Sequence, residues 1–273
     1  MSDFQENLDN LFELHRQKLD KFEEWISTQP NIPKNIPQTI LLRYLKVCNF
    51  DLEESEKLLD INVKFRIKNQ FLFTERDIES EDIQKILEVF QYTGFPKLTS
   101  EGYAVESFRI ISPELDNFIL QDIMKLVIMS HDVNSLIQPN TNGVIAIYDA
   151  SGFTIRHFMK VVSNAQTTIT FSQYGQEANC INLRQIHYVN CSSIVTKAIS
   201  FFKSFLSKEL RDKFYFHSVG YENLHKFIGK EYLPIEFGGT EGSLKDYQED
   251  TLNKLHKYRD FVIKDENFFI LNK

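Results

Sequence analysis

Histidine, cysteine, carboxylate and glycine carry most recognisable enzyme chemistry, and in this chain their spacing assembles none of it. The histidines stand at positions 15, 131, 157, 187, 217, 225 and 256. There is no HExxH and no cysteine beside them, so zinc would need ligands gathered from distant segments. The glycines at 94, 102, 143, 152, 175, 220, 229, 238, 239 and 242 complete neither GxGxxG nor GxxxxGK(S/T) nor GxSxG. Dinucleotide binding, P-loop phosphoryl transfer and serine-hydrolase chemistry lose their commonest sequence support. The sequence therefore predicts no metal, no cofactor and no catalytic residue. Asp149 ends a strand where α/β proteins place functional groups. With Gly152 following, it reads as a turn-capping carboxylate rather than a general base. His187, inside an apolar β-rich run, reads as a satisfied core residue. Cys48, Cys180 and Cys191 form no disulfide framework, which suits a reducing compartment.

What the chain offers instead is apolar surface. Phe108, Ile110, Ile145, Ile147, Leu183, Ile186 and Tyr188 fall on strand-like segments, whereas polar groups able to orient a ligand are few, chiefly Ser130, His131, Tyr148 and Tyr174. An apolar pocket with a few polar anchors is the usual form of a lipophile site. Between Asn190 and Phe214 two adjacent stripes recur at helical spacing: Ile194, Ala198, Phe201 and Phe205, then Val195, Ile199, Phe202 and Leu206. The rest of that segment carries Lys197, Lys203, Lys208, Arg211 and Lys213 against Glu209 and Asp212. Such a helix can lie in an anionic membrane interface, or it can pack on a core with its lysines in water. A lipophile deep in a protein leaves into water slowly, so a carrier needs a movable wall, and this segment has the composition for one.

The elements that would position these residues follow from periodicity. Apolar residues recur at helical spacing from Phe4 to Ile26 until Pro30, Pro33 and Pro37 intervene. A second helix covers Ile40 to Leu45, and a third is capped by Asp51 with Glu54 three residues on. Residues 79–90 form a fourth. The pattern then predicts a hairpin across Phe95 to Ile111, a helix opened by Ser112-Pro113-Glu114, and a strand over Val144–Asp149. A helix from about Arg156 to Gln173, a strand over Asn182–Val189, a helix from Ser192 and a strand over Lys213–His217 complete it. The fold class expected is α/β, an all-helical front followed by a mostly parallel-sheet body. Residues 1–90 form the front and 91–242 the body, with 243–273 a C-terminal helix and tail packing back. The 273 residues include 24 Phe and 11 Tyr but only 10 Gly and 7 Pro, a composition for a large ordered core. The formal charge of −7 argues against nucleic acid as a partner. No run of about 18 apolar residues is present to span a membrane.

Four segments in order resemble the CRAL-TRIO family: Leu41-Leu42-Arg43-Tyr44-Leu45-Lys46-Val47-Cys48-Asn49-Phe50-Asp51, the run from Gly143 to Phe153, Ile186-His187-Tyr188-Val189-Asn190, and Leu233-Pro234-Ile235-Glu236-Phe237-Gly238-Gly239. Within that family the chain looks most similar to the tocopherol-transfer and retinaldehyde-binding branch with its insect members. The resemblance implies a non-enzymatic cytoplasmic carrier, monomeric and transiently membrane-associated. It would hold one tocopherol, retinoid, carotenoid or similar lipid under a helical gate at about Ser192 to Leu206. The ligand would be lined by the strand residues above, by Ile194, Val195, Ala198, Phe201, Phe202 and Phe205 of the gate, and by Leu126, Val127, Ser130, His131, Phe153, Phe158 and Ile169. Phosphoinositide or other anionic membrane would be met by Arg184, Lys208, Arg211 and Lys213. Cys48, Asn182 and Glu209 stand where the branch carries basic residues, which implies a weaker or rearranged headgroup contact.

Overall fold

The structure, a computed structural model, describes residues 2–34, 36–138, 141–203 and 206–266. Three helices open the chain: α1 (Ser2–Thr28), α2 (Gln38–Val47) and α3 (Leu52–Lys68). Asp51 caps α3 by accepting from the Glu54 amide at 3.0 Å, which satisfies one of the free donors of the first turn. Helix α4 (Glu81–Leu87) leads into the sheet. Strand β1 (Phe90–Gly94) pairs antiparallel with β2 (Tyr103–Ile110). Strands β3 (Gly143–Asp149), β4 (Leu183–Val189) and β5 (Phe214–Phe216) then add in parallel, in the order β1-β2-β3-β4-β5. The crossovers are α5 (Leu120–Ile137), α6 (Ile155–Ser163) with α7 (Ala165–Gln173), and α8 (Ser193–Lys203) with α9 (Lys208–Arg211). Helices α10 (Leu244–Lys257) and α11 (Arg259–Glu266) return against α5 and β1. The expected fold class, a helical front and a mostly parallel-sheet body, is the one observed.

Three local expectations shift. The first hairpin strand runs over Phe90–Gly94 rather than beginning at Phe95, although the Phe95 amide still donates to Val105 O at 2.9 Å. Ser112-Pro113-Glu114 does not open a helix. The Ser112 hydroxyl accepts locally from the Glu114 amide at 3.3 Å, and α5 starts only at Leu120. The single helix expected from about Arg156 to Gln173 is two, because Asn164 leaves helical geometry and its amide caps Lys160 O at 2.9 Å.

A strand order that never reverses sends same-handed crossovers to one face of the sheet. On that face α5 packs Leu126, Val127 and Met129 with Phe108 and Ala146. The opposite face is covered by the segment after β5, where Leu224, Ile228, Leu233 and Phe237 meet Val105, Ile145, Ile147 and Val189. A third cluster joins α1, α2 and α3 around Phe22, Leu41, Leu45 and Leu59.

The helical front is bolted to the body by buried charges. Arg76 on the chain between α3 and α4 binds Asp132 of α5 at 2.7 Å and Asp265 of α11 at 2.8 Å. Arg66 of α3 binds Asp265 at 2.7 Å and approaches Asp132 at 3.6 Å, and Arg43 of α2 reaches Asp132 at 3.4 Å. Burial alone would push the Asp132 carboxyl up, but the charges of Arg66, Arg76 and Arg43 hold it down to about 2. Asp132→Ala is expected to cost about 3–5 kcal/mol, the usual effect of orphaning a buried partner. Urea unfolding would show this as a lower midpoint at unchanged slope.

Candidate functional site

Side chains alternate along each strand, so one set from β2 to β5 faces α5–α8. That set includes Phe108 and Ile110 of β2, Tyr148 of β3, Ile186 and Tyr188 of β4 and Phe214 of β5, and it floors a cavity of about 350 Å³. The register aligns one ring per strand into a row: Tyr92, Phe108, Tyr148, Tyr188 and Phe216. Phe108 stacks on Tyr148 with centroids 4.5 Å apart, Tyr148 on Tyr188 at 4.8 Å, and Tyr188 on Phe216 at 5.6 Å. Tyr92 meets Phe108 edge-on at 5.3 Å. At about 4.8 Å between strands the row spans roughly 19 Å. The walls come from Phe118, Ile123, Met124 and Val127, from Phe153, Phe158, Val161 and Phe171, and from Val195, Ile199, Leu206 and Leu210.

Of the residues the sequence pointed to, the cavity gathers Phe108, Ile110, Val127, Phe153, Phe158, Leu183, Ile186, Tyr188 and Val195. Leu126 packs in the core behind that wall. Ile145 and Ile147 point to the other face of the sheet. Strand β3 is apolar on both sides, so its sequence does not say which side holds a cavity. Ile169 is partly buried on α7 but does not line the cavity. The Ser130 hydroxyl is spent on Leu126 O at 2.8 Å, and His131 turns to Glu106 at 2.9 Å, so neither lines the cavity. Tyr174 packs against Phe65 and Phe73 of the helical front. Helix α8 covers the place expected of the gate. The side chains of Ile194, Ala198, Phe201 and Phe202, and residue Phe205 altogether, lie outside what the structure describes.

Of the four expected polar anchors Tyr148 lines the cavity, where it is joined by further polar groups. The hydroxyls of Tyr148 and Tyr188 have no hydrogen-bond partner among the described residues, and burial pushes both phenols up. Thr168 Oγ1 is buried without a partner. Lys203, expected to face water, lines the cavity with Nζ 5.3 Å from the centre of the Phe214 ring and 5.2 Å from that of Phe216. Arg109 sits 3.6 Å from Asp149. Asp149 also accepts from the Ser151 amide at 3.0 Å and from Asn190 at 2.9 Å, a turn-capping carboxylate as its sequence context suggested.

The expected membrane cations are unequally available. Lys208 and Arg211 are exposed, Arg184 lies over the Tyr103 ring at 5.2 Å, and Lys213 is neutralised by Glu209 at 3.0 Å. A second cavity, polar and about 330 Å³, opens at the other ends of the strands beside Arg43, Lys46, Glu106, His131, Asn182 and Lys254. Among the described residues no cluster of His, Cys, Asp or Glu is arranged to hold a metal ion. No helix among them is long and apolar enough to cross a membrane.

Sheet, helical cover and apolar cavity together define an α/β binding protein for a lipophilic molecule. A family model described as a divergent CRAL/TRIO domain matches residues 108–246, and one described as a Pinta-like UBA domain matches residues 11–83. The chain belongs to the CRAL-TRIO family, and lipid binding in the general sense follows from that membership. Clavesin-2 of Mus musculus is 24% identical over 239 residues, 86% of this chain and 70% of its own length. Clavesin-1 of Xenopus laevis is 25% identical over 246 residues, again 86% and 70%. The crystal structure of Sfh5 shares the fold at a TM-score of 0.53 and 14% identity, covering 94% of this chain and 97% of the other.

Beneath the sheet His187 is fully buried, its Nε2 at 2.9 Å from Gln185 Oε1 and its Nδ1 at 2.9 Å from His217 Nε2. Gln185 accepts from Nε2–H, which leaves Nδ1 to accept from His217. Burial, then the neighbouring His217, push the His187 imidazole down to about 3. The unfolded chain binds this proton near pH 6.5 and the folded chain only near 3, so stability is whole above pH 6.5 and declines as pH falls towards 3. In NMR titration the His187 ring signals should stay those of the neutral form down to at least pH 5, while unfolding free energy falls over the same range.

Proposed function

We propose that the protein binds one hydrophobic lipid in the cavity over its sheet and carries it between membranes, with α8 as the gate. The observation that supports this is the cavity itself, ring-floored, apolar on its walls and closed on one side by α8. Its 350 Å³ lies at the small end of ligand pockets, which run from roughly 300 to 1,000 Å³, and suits a retinoid-sized molecule better than a two-tailed phospholipid, while a tocopherol or carotenoid would need the cavity to widen. Burying about 500 Å² of apolar ligand is worth on the order of 12 kcal/mol before association costs. Release into water is correspondingly slow, and the exit is a membrane. On this reading the carrier is cytoplasmic and monomeric, residues 91–242 are its lipid-binding body, and the predicted gate residues Ile194, Ala198, Phe201, Phe202 and Phe205 close over the ligand.

Helix α6, which contacts α8, leaves Ile155 51% and Met159 60% exposed. One turn apart, they form an apolar pair beside the gate, with Lys208 and Arg211 as nearby candidates for anionic headgroups. Native mass spectrometry of protein from eukaryotic cells should reveal a bound lipophile, and labelled lipid should move between vesicles in its presence. No retained lipophile and no transfer of any class tested would end the carrier reading. Ile155→Asp with Met159→Asp is expected to reduce sedimentation with anionic vesicles several-fold while leaving the melting temperature within a few degrees. Unchanged sedimentation would remove α6 from the membrane-facing surface.

The polar cavity favours a second reading, a phosphoinositide-sensing adaptor. Arg43, Lys46 and Lys254 line it, Arg43 already held by Asp132 and Lys254 by Asp250 at 2.6 Å, and burial pushes Lys46 down to about 8. Headgroup-selective liposome binding and a protein partner, without lipid transfer, would support that reading over the first.

A further inference from the structure

The charges lining the apolar cavity do not cancel. Arg109 and Asp149 neutralise one another at 3.6 Å, and Asp149 is further held by Asn190 and the Ser151 amide. Lys203 has no carboxylate partner among the described residues. Its ammonium lies over the rings of Phe214 and Phe216, a contact that holds a cation in place without neutralising it. Phe216 is stacked on Tyr188 at 5.6 Å, and the Tyr188 hydroxyl is likewise unpartnered among the described residues. An ammonium and a phenol thus both belong to the β4–β5 end of the ring row. The opposite end, at Phe90, Phe118, Ile123 and Val127, is apolar.

Resting on the carrier reading, we propose that the ligand is a single-chain or single-ring-system lipophile ending in a carboxylate. The acid group would lie against Lys203, with the Tyr188 hydroxyl donating to it, and the hydrocarbon would run along the ring row towards α5. A charge-assisted contact in a water-poor cavity is stronger than a neutral one and selects the ionised acid over the alcohol of the same skeleton. A phosphate fits less well. It carries up to two charges and is matched by forked guanidinium groups, whereas one lysine balances a single carboxylate. The cavity volume also disfavours a diacyl phospholipid.

The test is direct binding of two acid and alcohol pairs, hexadecanoic acid with hexadecan-1-ol and retinoic acid with retinol, to the full chain at pH 8. For at least one pair the acid is expected to bind tenfold or more tightly than its alcohol. Lys203→Gln should erase that preference by weakening the acid alone, and Lys203→Arg should retain most of it. Equal binding of acid and alcohol by the unsubstituted chain, or a preference surviving Lys203→Gln, would overturn the assignment while leaving the carrier reading intact. If none of the four molecules binds, the carrier reading falls and this inference with it.

Discussion

Three guanidinium groups and two carboxylates, sealed from water, fix where the helical front sits on the body. Arg43, Arg66 and Arg76 share Asp132 and Asp265, and among them they tie together α2, α3, the segment before α4, α5 and α11. Such a network adds little net stability over an apolar core, because desolvating the ions costs nearly what their attraction returns. Its effect is positional: a helix shifted by one turn would strand a buried charge, and the cost of that is large. Helix α5 carries Asp132 and, a few residues earlier, Met124 and Val127 of the cavity wall. The same ion pairs that dock the front therefore set one side of the cavity.

The sheet supplies the other side. Its three parallel pairings and antiparallel edge bring one aromatic residue per strand into register, and four of the five rings, Phe108, Tyr148, Tyr188 and Phe216, stack face to face with Tyr92 set edge-on at the end. Covering helices from three crossovers cannot fill the space above so broad a floor, so a void remains. Beneath the sheet, the segment after β5 packs Leu224, Leu233 and Phe237 against the opposite face. The cavity lies on the face that carries the regular crossovers, and the opposite face is covered by mostly irregular chain.

Local signals in the sequence were the legible ones. Asp51 with Glu54, the turn-capping role of Asp149 and the burial of His187 each depend on neighbours within a few positions or on a simple apolar run. Where an interaction spans the chain, the sequence was mute. Asp265 lies 199 residues from Arg66, and on an amphipathic helix both look like solvent-facing charges. Lys203 was misplaced for the same reason: only the strand β5 that follows it supplies the rings over which its ammonium rests. Ser130 and His131 looked like anchors because their types are right, yet one serves its own helix and the other pairs with Glu106 on β2.

By itself the sequence determined the class of fold, the order of helices and strands, the family and the apolar character of the site, because periodicity and short motifs encode these within a window of a few turns. Tertiary structure decided which face of β3 meets the cavity, which polar groups remain without partners there, and which charges are buried. Those depend on strand register and on contacts between segments far apart in the chain, and neither spacing nor composition carries that information.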